Sequence, residues 1–110
     1  MPKKKERTPE ESIQYYKEEI KTWLFELRAY ADENDHPNFK ARFSHIVVYV
    51  SYIEDHLNTL CKEASNVSWA LDKLDTIQER QGDLDDETES YGDLKALSEE
   101  IEEVTQPILN

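Results

Sequence analysis

Several side chains in this sequence are spaced as metal-binding or catalytic groups are. Glu33 and His36 stand three apart, the spacing that puts a carboxylate and an imidazole on one helical face in di-iron bundles. That chemistry takes two such motifs plus further inward carboxylates. One copy is present, at the end of a helical pattern and just before Pro37, so it is not read as a metal site. The pairs Asp72/Asp75, Glu99/Glu102 and Glu100/Glu103 set carboxylates one turn apart, as all-helical nucleotide pyrophosphatases do to hold Mg²⁺. Such enzymes also need cations for phosphate, and only Lys95 is near the second and third pairs. A carboxylate-metal nucleotide hydrolase is therefore the third reading.

The remaining reactive residue types point away from catalysis. Cys61 has no basic neighbour to stabilise a thiolate and follows Leu60, which reads as a packed or half-buried thiol. His45 and His56 are eleven apart and off the apolar stripe, which reads as surface imidazoles. Ser, His and Asp occur in no triad-like spacing, and with Gly82 and Gly92 as the only glycines no phosphate-cradling loop can form. Asn66-Val67-Ser68 fits a glycosylation acceptor, which carries no weight without a secretory signal. The sequence thus reads as non-catalytic, with no cofactor and no metal.

Charge narrows the partners. The 110 residues hold 13 Lys+Arg and 25 Asp+Glu, for a net charge of −12. Residues 1–81 carry 12 basic and 15 acidic side chains, a balance of −3; residues 82–110 carry 1 and 10, a balance of −9. An acidic surface repels nucleic-acid phosphates and anionic lipid, so neither direct nucleic-acid binding nor membrane binding is expected. Lys3, Lys4, Lys5 and Arg7 form the one basic cluster, read as a solvated tail over residues 1–8. No apolar run is long enough to span a bilayer and the lysine-rich start lacks a signal-peptide core, so a cytoplasmic protein is expected. A single Cys excludes an intramolecular disulfide.

The elements that must position these residues are helical. Thr8-Pro9-Glu10-Glu11 reads as a helix start at Pro9. Ile13, Tyr16, Ile20, Trp23, Leu27 and Tyr30 follow in steps of three and four, a heptad seam. A turn is expected over residues 34–37. A second seam runs through Phe39, Phe43, Ile46, Val50, Ile53, Leu57, Leu60, Ala64, Val67, Leu71 and Leu74, with no glycine or proline over 38–81. The unbroken phase predicts one helix of about 66 Å at 1.5 Å per residue, weakest at Ser65-Asn66-Val67-Ser68. Residues 46–53 are β-branched and aromatic enough for a strand, but their flanks keep helical phase.

Residues 82–92 read as an acidic linker, and 93–110 as a short helix capped by Asp93, closed by Pro107, with Ile108 and Leu109 as an apolar tail. The fold class is all-α: within 9–81 an antiparallel helical hairpin with a long second helix, plus the short C-terminal helix, coiled-coil-like or bundled.

Leu24, Phe25, Val47, Val48, Tyr49, Tyr52, Trp69 and Ile77 lie off the seams. A homodimer with its two-fold axis beside Val47 and Tyr49 is the expected cover; the C-terminal helix folding back in a monomer is the alternative. The leading function is an adaptor or regulator that binds another protein, with Trp69, Tyr15, Tyr49 and Tyr52 as contacts, since aromatic side chains anchor interfaces. The second reading is an inhibitor of the phage or mobile-element kind. In it, Asp83, Asp85, Asp86, Glu87, Glu89, Glu99, Glu100, Glu102 and Glu103 imitate nucleic-acid phosphates and block a partner with a basic groove.

Overall fold

A computed structural model describes residues 8–80 and 94–109. Its four helices are α1 (Pro9–Glu33), α2 (His36–Thr59), α3 (Ser65–Arg80) and α4 (Leu94–Leu109). No strand occurs among the described residues, and 46–53 are helical. The basic tail, the acidic linker and Asp93 lie outside the described residues, apart from Thr8.

α1 begins where its capping residues place it. Thr8 Oγ1 accepts from the Glu11 amide at 3.2 Å and its hydroxyl donates to Glu11 Oε1 at 3.2 Å, with Pro9 in the first turn. The helix ends at Asn34 in the left-handed conformation, φ 57°. The Asn34 amide bonds Ala31 O at 3.2 Å and the Asp35 amide bonds Tyr30 O at 2.9 Å, which satisfies two carbonyls the helix would otherwise leave open. Asp35 then caps α2 by accepting from the Asn38 amide at 3.4 Å. The turn is therefore tighter than 34–37. Pro37 sits in the first turn of α2, where it has no helical hydrogen bond to lose.

The single long second helix is not observed. The chain breaks at 60–64, just before the serines and asparagine that mark the weak point. Cys61 takes the left-handed conformation, φ 56°; its amide bonds Asn58 O at 3.0 Å and the Lys62 amide bonds Leu57 O at 2.9 Å. That is the same two-bond ending as at Asn34, made here by a residue without glycine's freedom. Cys61 is exposed, which corrects the expectation of a packed or half-buried thiol: it stands in the turn that ends α2 and not within a continuous helix. On the far side Ala64 O accepts the Ser68 amide at 2.8 Å and starts α3.

Breaking the rod lets it close a core. A helix of about 66 Å would overhang α1, whereas the molecule's longest extent is 49 Å. α1 packs on α2 and α4, and α3 packs on α2 and α4, so the four helices form a ring. Ion pairs Glu26–Arg42 and Asp32–Lys95 show α1 antiparallel to both neighbours. Phe39, Phe43, Ile46, Val50, Ile53, Leu74 and Ile101 are fully enclosed.

Three residues change role. Leu24 and Ile77, off the seams in sequence, are buried, and Leu71 is only half-buried because the enclosed row of α3 is Val67, Ala70, Leu74 and Ile77. Pro107 does not close α4, which runs on to Leu109. Ile108 lies one heptad after Ile101 and is buried with it, so the last turn is held by packing and no apolar tail is left over.

Candidate functional site

α2 carries two stripes. Phe39, Phe43, Ile46, Val50 and Ile53 face the core. One residue ahead of four of these positions, and of Leu57, stand Arg42, His45, Tyr49, Tyr52 and His56, also in steps of three and four, so they form a parallel row rotated by about 100°. α1 meets that row with Tyr16 and Trp23, one heptad apart.

The rings pack edge-on and tilted along the outer side of α1 and α2. Tyr16 lies 5.0 Å from Tyr49, 5.5 Å from Tyr52 and 5.6 Å from His56, where it stacks; Tyr15 lies 5.7 Å from Tyr16. Trp23 lies 4.5 Å from Tyr49 and 5.7 Å from His45, and Tyr49 lies 5.6 Å from Tyr52. Each such pair contributes about 0.5–1.5 kcal/mol beyond burial, so the strip is a fixed surface. Arg42 closes one end. Its guanidinium lies 5.4 Å from the Trp23 ring centre, and its Nε is 2.9 Å from Glu26 Oε2. Both atoms are shielded from water and without a well-aligned hydrogen bond, so each is the other's charge partner.

Burial pushes the Tyr49 hydroxyl above its ordinary range, with the Tyr15 hydroxyl and the Glu19 carboxylate adding to the shift. The strip is open: Tyr52 is 42% exposed, and Val48, one turn before it on the crest of α2, is 41% exposed.

Of the residues singled out from sequence, the fold brings Tyr15, Tyr49 and Tyr52 together. Trp69 stands apart on α3, half-exposed, with Lys73 Nζ 5.9 Å from its ring centre. Asp83, Asp85, Asp86, Glu87 and Glu89 lie outside the described residues.

The α4 acids are divided between roles. Glu102 is bound to Arg28 of α1, and that contact, followed by the charge of Glu102 and then by Asp32 and Glu99, raises the Arg28 pKa. Glu99 lines an open groove with Arg28 and Lys95, while Glu103 is exposed. On α3, partial burial followed by Glu79 and Asp72 raises the Asp75 pKa. Among the described residues no three His, Cys, Asp or Glu side chains converge to hold a metal ion, and no helix is long and apolar enough to cross a membrane.

Residue types alone do not reveal five members of the strip. Tyr16 and Trp23 read as core seam and do pack against the core, His45 and His56 read as surface and His45 is exposed, and Arg42 carries no signal of its own. The legible signal was the second row 42, 45, 49, 52, 56, which repeats the seam's own period. No protein-family model, curated protein or solved structure matches this chain, so its role must be argued from this surface.

Proposed function

We propose that the chain is a non-catalytic helical protein that acts as an adaptor or regulator by docking another protein on the outer face of α1 and α2. One observation carries this reading: an ordered strip of seven rings between Arg42 and His56 is left half-open to solvent, with Tyr52 and the neighbouring Val48 exposed. Rigid aromatic side chains give large contact area and lose little entropy when they bind.

A second copy was one way to cover the apolar surplus. α4 packs on α1 and α3 and Leu24 and Ile77 are buried within one chain, while Phe25, Val48, Tyr52 and Trp69 stay exposed. The reading takes a heterologous partner, and sedimentation at micromolar concentration should return the 13.0 kDa monomer. Phosphate mimicry has less support, because Glu102 is neutralised by Arg28 and the acids before Asp93 lie outside the described residues.

The test compares variants in affinity capture from the native host. Tyr52→Ala with Val48→Ser should lose proteins that the natural chain and Trp69→Ala both retain. Equal capture by all three, with loss instead on Glu99→Gln and Glu103→Gln, would discard this face in favour of the acidic helix.

A further inference from the structure

Charge says what kind of partner the strip fits. Around it the outer sides of α1 and α2 present Glu19 beside Tyr49, Asp55 beside His56, and Glu26. Glu19 and Asp55 have no ion-pair partner among the described residues. The one cation of the strip, Arg42, is held by Glu26. The other cations of these helices turn elsewhere. Lys21 and Arg28 line the groove toward α4, Lys17 lies one turn before Lys21 on that same side, and Lys40, two residues before Arg42, falls on the far flank of α2. Among the described residues the open aromatic surface is thus acid-rimmed with no Lys or Arg other than the paired Arg42.

Length adds a second constraint. The α1/α2 seam is filled by Tyr16, Trp23 and Tyr49, so the face is an apolar ridge running along two antiparallel helices, of the kind on which an amphipathic helix lays its apolar side. From Arg42 to His56 the strip spans fifteen residues, about 21 Å of helix axis, matching an occupant of about four turns.

We infer, resting on the reading of the α1/α2 face as a docking surface, that its occupant is a basic amphipathic helix of another protein, apolar toward Tyr16, Trp23, Val48 and Tyr52 and carrying Lys or Arg toward Glu19 and Asp55. The cations gain both from the carboxylates and from the outer ring faces, over which a guanidinium or ammonium is attracted. A second copy of the chain fits worse: each carries −12, and a two-fold axis through the strip would bring its acidic rims together.

The probes are three fifteen-residue helical peptides. One has a Leu/Trp face and a Lys/Arg face; the second replaces the cations with Glu; the third has the composition of the first, scrambled so that no apolar face forms. Binding to the full chain is read by amide chemical-shift mapping and titration in physiological salt. The basic amphipathic peptide should bind at least tenfold tighter than either of the others and shift residues 15–26 and 42–56. Glu19→Gln with Asp55→Asn should weaken it several-fold, while Trp69→Ala leaves it within twofold.

Equal or tighter binding of the acidic peptide at this face would overturn the cationic inference and leave the docking surface standing. Equal binding of the scrambled peptide, with shifts centred on 72–79 and 99–103, would overturn it as unspecific attraction. A chain that sediments at twice the monomer mass until Tyr52→Glu is introduced would assign the face to a second copy. If no peptide shifts the face and the chain is monomeric, docking surface and inference fall together.

Discussion

α1 and α2 run 25 and 24 residues and are joined by Asn34 and Asp35 alone; α3 and α4 run 16 each and are joined by residues 81–93. Both pairs contribute enclosed rows spaced by threes and fours to one core. They differ on the outside. The first pair adds a second row beside the buried one, made of Tyr, Trp and His; the second pair places Asp72, Asp75, Glu79, Glu99 and Glu103 at solvent-exposed positions. One amphipathic period therefore served two ends, a core alone in α3 and α4, and a core with an open aromatic flank in α1 and α2. A helix needs only one apolar stripe to fold into a bundle, so the second stripe goes beyond what a bundle requires, and the proposed docking face is built on it.

The sharpest way to break the comparison is to ask whether the two pairs are one cooperative unit. Phe43→Ala in the first pair should cost about 3–5 kcal/mol and Ile101→Ala in the second about 2–5 kcal/mol, because each empties an enclosed site. In urea unfolding followed by circular dichroism, both variants should keep a single transition shifted to lower denaturant. An Ile101→Ala chain that unfolds in two steps, with the α1/α2 rings unperturbed in the first, would show that the pairs are separate units.

A smaller effect separates the ion pairs that tie α1 to each neighbour. Arg42 and Glu26 are partly shielded, and the Arg42 guanidinium lies over the Trp23 ring; Arg28, in the pair with Glu102, is far more open than Arg42. Arg42→Ala should cost about 1–2 kcal/mol, between the exposed and the fully buried case, and little of that should be recovered or lost between low and high salt. Arg28→Ala should have a smaller effect that salt suppresses. If the two variants respond alike to salt, the aromatic strip does not shelter its terminal charge.

Much of this architecture was readable from residue types. The start of α1 at Thr8-Pro9, the 3–4 rows of α1 and α2, and the helical state of 46–53 follow from capping and period. The break at 60–64 was not readable, for a physical reason. Leu60, Ala64 and Val67 keep heptad phase across the junction, and Val67 and Leu74 belong equally to the row 67, 71, 74 and to the enclosed row 67, 70, 74, 77. Which of Ala70 and Leu71 turns inward depends on where α4 lies, and that is a tertiary fact. The strip is hidden in the sequence for a related reason: Tyr16 and Trp23 have seam spacing and pack against the core, yet their rings also meet the second row of α2. Its chemistry emerges only when α1 and α2 are laid side by side.

The two left-handed junctions give the finest test, since they end α1 and α2 with the same hydrogen bonds and different residues. Asn tolerates the left-handed region through its short polar side chain, whereas Cys meets the full crowding of its Cβ, on the order of 1–2 kcal/mol. Glycine removes that crowding but adds freedom to the unfolded chain, an opposing effect of about 0.5–1 kcal/mol. Cys61→Gly should therefore stabilise by up to about 1 kcal/mol and raise the melting temperature by a few degrees, while Asn34→Gly should change it by no more than a few tenths of a kcal/mol. Cys61→Ala supplies the control: it keeps the Cβ and removes the thiol, so it should melt with the natural chain. If Ala and Gly at position 61 destabilise equally, the thiol holds the junction through contacts, and the separation of α2 from α3 owes less to backbone geometry than to packing at Cys61.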